Sequence, residues 1–297
     1  MSVLTIAPVT AADDRLKTLT YPRFAEYLTP AALAAPWFHV IAATTATQPV
    51  GMAMLIQDAE SSWRLMSVAV SAQSRRNGIG LALMQAAAQW AATRSLPTLY
   101  SVHGGEMRGV DAWQGLLDRA GWSPPVLCLL SLTGHATWAT EARREWDDLF
   151  VRLAASGFTV TPWCQRSVED EAILAHLAVG TGRMAPQGVT DVLPGASLVI
   201  REHGLPVGWV LATTGTQPGD IYYPAGYVTR RLQRMGWLVA ALVEACLSQQ
   251  RTYGADGTCS FQTAGDNRAM QDFMLRRLDK WTIRRNTHYQ SSKTISP

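Results

Sequence analysis

Long hydrophobic runs are missing from this chain. No stretch approaches the roughly 18 uninterrupted apolar residues a membrane-crossing helix needs, so no membrane span is expected. Cysteine is sparse: Cys128, Cys164, Cys246 and Cys259 stand far apart with no CxxC pair. That spacing gives neither a metal site nor a disulfide framework, and reduced cytosolic thiols are expected. Charge is thin at 16% of residues, below the usual quarter of a globular chain. Lysine is nearly absent, with only Lys17, Lys280 and Lys293 beside 23 arginines. The net charge is +3; residues 157–297 hold 14 basic against 11 acidic side chains and residues 1–156 hold 12 of each. So mild a balance excludes a dedicated nucleic-acid binder but leaves room for an anionic ligand. The plainer reading is scattered solvated arginine. The opening MSVLTIAPVTAADDR has no basic start and no apolar core, so no secretory leader is expected and a cytoplasmic location follows.

What is present is a repeat. The chain's 297 residues suggest two domains. Gln48-Pro-Val-Gly-Met-Ala-Met-Leu55 reads like Leu205-Pro-Val-Gly-Trp-Val-Leu-Ala212, each a turn running into an apolar strand. A second strand follows each, Trp63–Val70 and Ile221–Val228. Then comes a basic loop with glycine and an apolar helix, Leu81–Arg94 and Trp237–Gln250. Strands Thr98–His103 and Thr258–Thr263 come next, followed by helices near 111–120 and 268–277. The same elements in the same order predict two copies of one mixed α/β unit. Strands beginning at Val3 and Phe158 open the copies. Residues 135–156 read as a helical connector, ended by Gly157 as a C-cap.

The loop Val70-Ser-Ala-Gln-Ser-Arg75-Arg76-Asn77-Gly78-Ile79-Gly80-Leu81-Ala82 carries the chemistry. Glycine lets a ligand approach the backbone. The helix start offers unpaired amides and positive dipole charge, with two arginines beside it. Together these form a pyrophosphate site. No Gly-Lys-Ser/Thr follows, so it is not a P-loop, and the third glycine of a dinucleotide fingerprint is absent.

Arg75-x-x-Gly78-x-Gly80, preceded by Val70 and followed by Leu81-Ala82-Leu83, resembles the acyl-CoA signature of the GNAT superfamily of N-acyltransferases. The resemblance covers nearly the whole chain as two tandem GNAT-like units, each a mixed, mostly antiparallel central sheet flanked by helices. It implies an acyl-CoA donor, acetyl or longer. Arg75, Arg76, Asn77, Gly78, Ile79, Gly80, Leu81 and Ala82 would hold its pyrophosphate. Met66, Val68, Ala69 and Val70 would lie against its pantetheine arm. The acceptor implied is a primary amine: a small molecule, a peptide lysine or ornithine, or a protein N-terminus. Direct transfer in a ternary complex is expected, because no cysteine sits in a nucleophile motif.

The second copy departs from this pattern. In Arg230-Arg-Leu-Gln233-Arg234-Met-Gly236-Trp237-Leu238, leucine replaces the second glycine and tryptophan adds bulk. Residues 1–134 are therefore expected to bind the donor. Residues 157–297 are expected to be a degenerate copy that shapes the acceptor site. The tyrosine acid common in the family is also missing: Leu117 and Met274 stand in its place.

For a base, His103 has the right unperturbed pKa, and Glu106 stands beside it. Ser67 and Tyr100 are further polar candidates near the point where the fourth and fifth strands of this fold splay. The remaining histidines are read as lying in loops or helices. The plain reading of His103 is a loop histidine satisfied by backbone or solvent. The 11 tryptophans read first as core; the sharper reading, with Met52, Met54, Met66 and Met84, is a tunnel for a long acyl chain. Two rivals to catalysis are an acyl-CoA-binding or partner-binding module and, more distantly, an arginine scaffold around Arg230, Arg231, Arg234, Arg276, Arg277, Arg284 and Arg285. A monomer or homodimer is expected, without a metal. Tyr289–Pro297 reads as a mobile tail that could cover a site.

Overall fold

The computed structural model describes residues 4–59, 62–217 and 219–295. They form two compact units, one of residues 1–128 with 287–297, the other of residues 129–286. The first unit begins with β1 (Thr5–Pro8); Val3, read above as the strand's start, lies outside the described residues. Three one-turn helices follow: α1 (Asp14–Lys17), α2 (Pro22–Ala25) and α3 (Pro30–Leu33). Proline at the first position of α2 and α3 supplies the helical φ and lacks only an N–H that would be unpaired there. Next come β2 (Phe38–Thr44), β3 (Pro49–Ala59), β4 (Ser62–Val70), α4 (Ile79–Thr93), β5 (Thr98–Gly104) and α5 (Val110–Arg119).

In the second half follow β6 (Val126–His135), α6 (Trp138–Glu145), α7 (Asp147–Ala155), β7 (Phe158–Pro162), α8 (Val168–Ala178), β8 (Leu198–Glu202), β9 (Leu205–Thr214) and β10 (Asp220–Val228). The chain ends with α9 (Trp237–Tyr253), β11 (Thr258–Ala264), α10 (Arg268–Phe273) and β12 (Thr282–Thr294). The connector is two helices broken at Trp146 rather than one. Gly157, at φ 79°, ends the second by donating its N–H to Ala154 O at 3.0 Å. The helix expected over 268–277 widens into a π turn at Met274–Leu278.

The sheet of the first unit runs β1-β2-β3-β4-β5-β12. Every neighbouring pair is antiparallel except β4 and β5. That of the second unit runs β7-β8-β9-β10-β11-β6, again antiparallel save for β10 and β11. The repeat is thus real, with one exchange. The sixth strand of the first unit is supplied by the C-terminal residues, and that of the second by residues after α5. The segment read as a mobile tail is therefore a strand: residues 288–294 pair along the whole of β5, satisfying backbone groups that would otherwise form an open edge. Ser296 and Pro297 lie outside the described residues.

Each face of the first sheet carries its own core. Ile79, Leu83 and Ala87 of α4, with Leu117 of α5, pack on Ile41, Ala53, Leu55, Leu65 and Leu99. Leu16 of α1, with Phe24 and Leu33 of α2 and α3, packs on Phe38, Val40, Met52 and Met54 of the other face. Burying a side chain such as Leu83 contributes about 2–3 kcal/mol. Met52, Met54 and Met84 are almost fully buried and pack the two cores, while Met66 is partly buried beside Met52 and Met54. Trp63, Trp122, Trp138, Trp209 and Trp237 are core residues too.

Candidate active site

The loop after β4 is shaped by its own residues. A short 3-10 turn spans Ala72–Ser74, and the Arg75 guanidinium then reaches back, its Nε donating to Val70 O at 3.1 Å. Arg76 turns the chain at φ 63° and Gly78 at φ 78°. An added Cβ at Gly78 would touch nothing within 4 Å, so the glycine is required for its backbone conformation and the space in front of it is open. Gly78 caps α4 without any side-chain hydrogen bond, and the first backbone donor taken up is Ala82 N, to Gly78 O at 3.0 Å. The amides of Ile79, Gly80 and Leu81 are thereby left to a ligand at the positive end of a 15-residue helix. Arg75, Arg76 and Asn77 are exposed at the rim. The residues fit a pyrophosphate.

The second loop has the same backbone and a different fate. Gln233 repeats the clasp, its Nε2 donating to Val228 O at 3.1 Å; Arg234 lies at φ 67° and Gly236 at φ 90°. Here the space before the glycine is occupied: a Cβ at Gly236 would sit 2.6 Å from Leu149 Cδ1 of α7. Leu238 packs toward β10 instead, where a Cβ at Gly226 would sit 3.0 Å from its Cδ1. Trp237 is not the obstruction: it is buried, edge-on to Phe158 at 5.3 Å.

The strands beside the first loop part as expected. Among the described residues β4 and β5 pair only at Trp63↔Leu99 and Arg64↔Tyr100. A bulge accompanies the divergence. Leu55 pairs with Leu65 and Met54 with Ser67, so Met66 is the extra residue that bends β4.

That bulge also sorts the candidate side chains. Ser67 stands opposite Met54, on the face covered by α1–α3. Tyr100 stands opposite Arg64 on that face, its hydroxyl donating to the Asp58 carboxylate, whose Oδ2 also lies 3.3 Å from Arg64 Nε. His103 alternates with Leu99 and so points to the opposite face, under α5, with Gln114 Nε2 3.4 Å from its Nε2. Glu106 is exposed, in the turn closed by Met107 N donating to Gly104 O. The structure thus brings Ser67 and Tyr100 to one face and His103 to the other, with Glu106 outside both.

His103 is 4% exposed, and burial, followed by the nearby His288, pushes its pKa below the usual histidine range. Its ring stacks on Tyr289 at 6.0 Å, and its Nδ1 has no partner among the described residues. It is a strand residue, not a loop histidine. His39 and His288 are on strands as well. Gln114, Tyr289, Ser101 and Ser291 escape sequence reasoning. The alternation Tyr289, Ser291, Lys293 was the available signal, hidden by its polarity. Leu117, where the family's tyrosine is expected, is 2% exposed in the core. Of the arginines of the second half, Arg231 pairs with Glu202 and Arg285 with Asp279. Among the described residues no group of His, Cys, Asp and Glu could hold a metal ion, and no helix is long and apolar enough to cross a membrane.

Residues 10–107 match the model of the acetyltransferase (GNAT) family. No curated protein matches the chain. Among solved structures, a tandem GNAT protein from the clavulanic acid biosynthesis pathway is similar at 15% identity, over 99% of each chain, with a TM-score of 0.56. The glucosamine N-acetyltransferase region of a fungal multi-domain beta-N-acetylglucosaminidase is similar at 13% identity, over 98% of this chain and 38% of that one, with a TM-score of 0.58. A GCN5-related N-acetyltransferase from Sphaerobacter thermophilus is similar at 15% identity, over 87% and 81%, with a TM-score of 0.50. At these identities the likeness is one of fold.

Proposed function

We propose that the chain is an N-acyltransferase of the GNAT superfamily built on the tandem plan, a reading supported by the family match over residues 10–107 and by the fold it shares with a tandem GNAT protein. It would move an acetyl or other short acyl group from acyl-CoA to a primary amine. The observation that carries the reading is the open, uncapped start of α4 beside strands that part at Arg64↔Tyr100. Residues 75–82 would bind the donor pyrophosphate, Gly78 through its conformation and Ile79–Leu81 through their amides. The arm would follow Met66–Val70 into the gap between β4 and β5, where unpaired β4 backbone can hold the oxyanion. The filled mouth at Gly236 supports one donor site per chain, with the second unit as scaffold.

The amine nitrogen attacks the thioester carbon, the C–S bond breaks, the amine gives up one proton and the thiolate takes one. The acceptor enters on the face of Ser67, where its proton leaves to water. Because His103 lies on the opposite face with α4 and α5, it belongs to the thiolate side rather than serving as the amine's base. The packing of Met52, Met54 and Met84 favours acetyl over long chains.

The rival reading, a non-catalytic acyl-CoA-binding module, is favoured by Leu117 and Met274 in place of tyrosine. One assay separates them: release of free CoA thiol from acetyl-CoA with an amino sugar, a polyamine and a lysine peptide. Amine-dependent release supports transfer; donor binding with no release under any amine supports the module.

A further inference from the structure

Beneath α5 the first unit has a tile of four polar side chains in an otherwise apolar core. His103 stands directly across from Tyr289 and Ser101 from Ser291, so neighbours on the two strands share a face. Two contacts fix which face. Gln114 of α5 meets His103, and Lys293, two residues beyond Ser291, donates from Nζ to Ala120 O at 3.0 Å and Gly121 O at 3.2 Å just past the end of α5. Ser101 is 1% and Ser291 0% exposed. The Ser291 hydroxyl, His103 Nδ1 and the Trp113 indole N–H of α5 are buried with no partner among the described residues. Leu99, Leu117 and Trp122 belong to the surrounding core. Leaving a buried polar group unpartnered is costly, and sites with several of them hold ordered water.

The second unit is an internal control. The same positions of its sheet hold Thr263 opposite Leu130 and Phe261 opposite Leu132. Thr263 alone is polar there, with one unpartnered hydroxyl. The glutamine matching Gln114, Gln271, is spent on backbone, donating to Ala264 O at 3.1 Å and Gly265 O at 2.6 Å. The polar tile therefore accompanies the open donor loop and is replaced by an apolar one in the unit whose loop is filled. Tyr289 connects the tile to the outside. It is half-buried, at the boundary of the tile, and a Cβ on Gly105 would lie 2.9 Å from its ring, so the turn beside it has room for glycine and not for a side chain.

We propose that His103, Ser101, Tyr289 and Ser291 hold water beneath α5 and relay a proton from solvent to the thiolate leaving the acyl donor, half of the relay being supplied by the chain's last strand. The inference rests on the acyl-transfer reading above. The balance closes: the thiolate gains one proton through the tile as the C–S bond breaks, and solvent regains one from the acceptor amine on the other face. Ser291 and Tyr289 are positioning residues in this account, because they act through water and not on the reacting atoms.

The test follows CoA thiol release from acetyl-CoA with the three amine probes. Transfer to none of them by the wild-type chain overturns the acyl-transfer reading and the relay with it. Where the wild type turns over, Ser291→Ala is expected to leave acetyl-CoA affinity unchanged, lower kcat about tenfold or more and alter the solvent deuterium isotope effect on kcat. Tyr289→Phe, which keeps the ring stack, is expected to do the same in smaller measure, and Thr263→Ala to do nothing. A purely structural Ser291 predicts the opposite pattern: loss of an unpartnered hydroxyl raises Tm and leaves kcat and the isotope effect in place. That result overturns the relay alone. A high-resolution crystal structure is expected to show water within reach of His103 Nδ1 and Ser291 Oγ, and a dry tile would overturn it too.

Discussion

Gly78 and Gly80 look alike in sequence and differ in what they do. Gly78 sits at φ 78° with open space before it, so Gly78→Val imposes only the left-handed backbone cost of about 1–2 kcal/mol. The expected outcome is a Tm lowered by a few degrees with acetyl-CoA affinity lost, read by thermal melting and calorimetry. At Gly80 an added Cβ would meet Leu116 at 3.5 Å, an ordinary contact. Gly80→Ala is therefore expected to fold normally and gain up to about 1 kcal/mol of helix propensity. A fall in Tm would show that the α4–α5 packing is tighter than described. His39 carries a pH prediction. Its ring stacks on Trp90 at 4.4 Å, and burial, with Arg94 adding to it, pushes its pKa down to about 4. The unfolded chain binds that proton near 6.5 and the folded chain only near 4. Stability is therefore full above about 6.5 and is lost as pH falls between the two. The loss is bounded by about 3 kcal/mol and is smaller for a partly exposed ring. Melting His39→Phe across pH 4–7 should give a flatter curve than wild type; parallel curves would remove His39 as the cause.

At the scale of elements, the copies were legible because each is ordered by local signals: apolar strands, a glycine turn, an amphipathic helix. The backbone at Arg76 and Gly78, and its echo at Arg234 and Gly236, follows directly from those residues. The face of His103 did not, because alternation on β5 could not be phased against β4, where Met66 is an extra residue. Nor did the exchange of last strands. The run Thr282–Thr294 is polar enough to read as solvated chain, and strand pairing over such sequence separation leaves no local mark. The filler of the second loop, Leu149, comes from a helix some ninety residues before Gly236, which no reading of the loop alone reveals. Ending the chain after Asn286 would remove the partner of β5 from His288 to Thr294. Hydrogen exchange is expected to show β5 and α5 losing protection while β8 and β9 keep theirs. Uniform loss across the chain would mean that the two units do not unfold separately.

At the scale of the whole molecule, a tandem chain with two like-shaped loops poses one question: how many donors it holds. The open mouth at Gly78 and the mouth filled by Leu149 at Gly236 give different answers for the two units. Titration calorimetry with acetyl-CoA reads that difference as a stoichiometry. One acetyl-CoA per chain is expected, abolished by Gly78→Val and unaffected by a Gln233→Ala change in the second loop. Two per chain, or binding that survives Gly78→Val and disappears with Gln233→Ala, would contradict it.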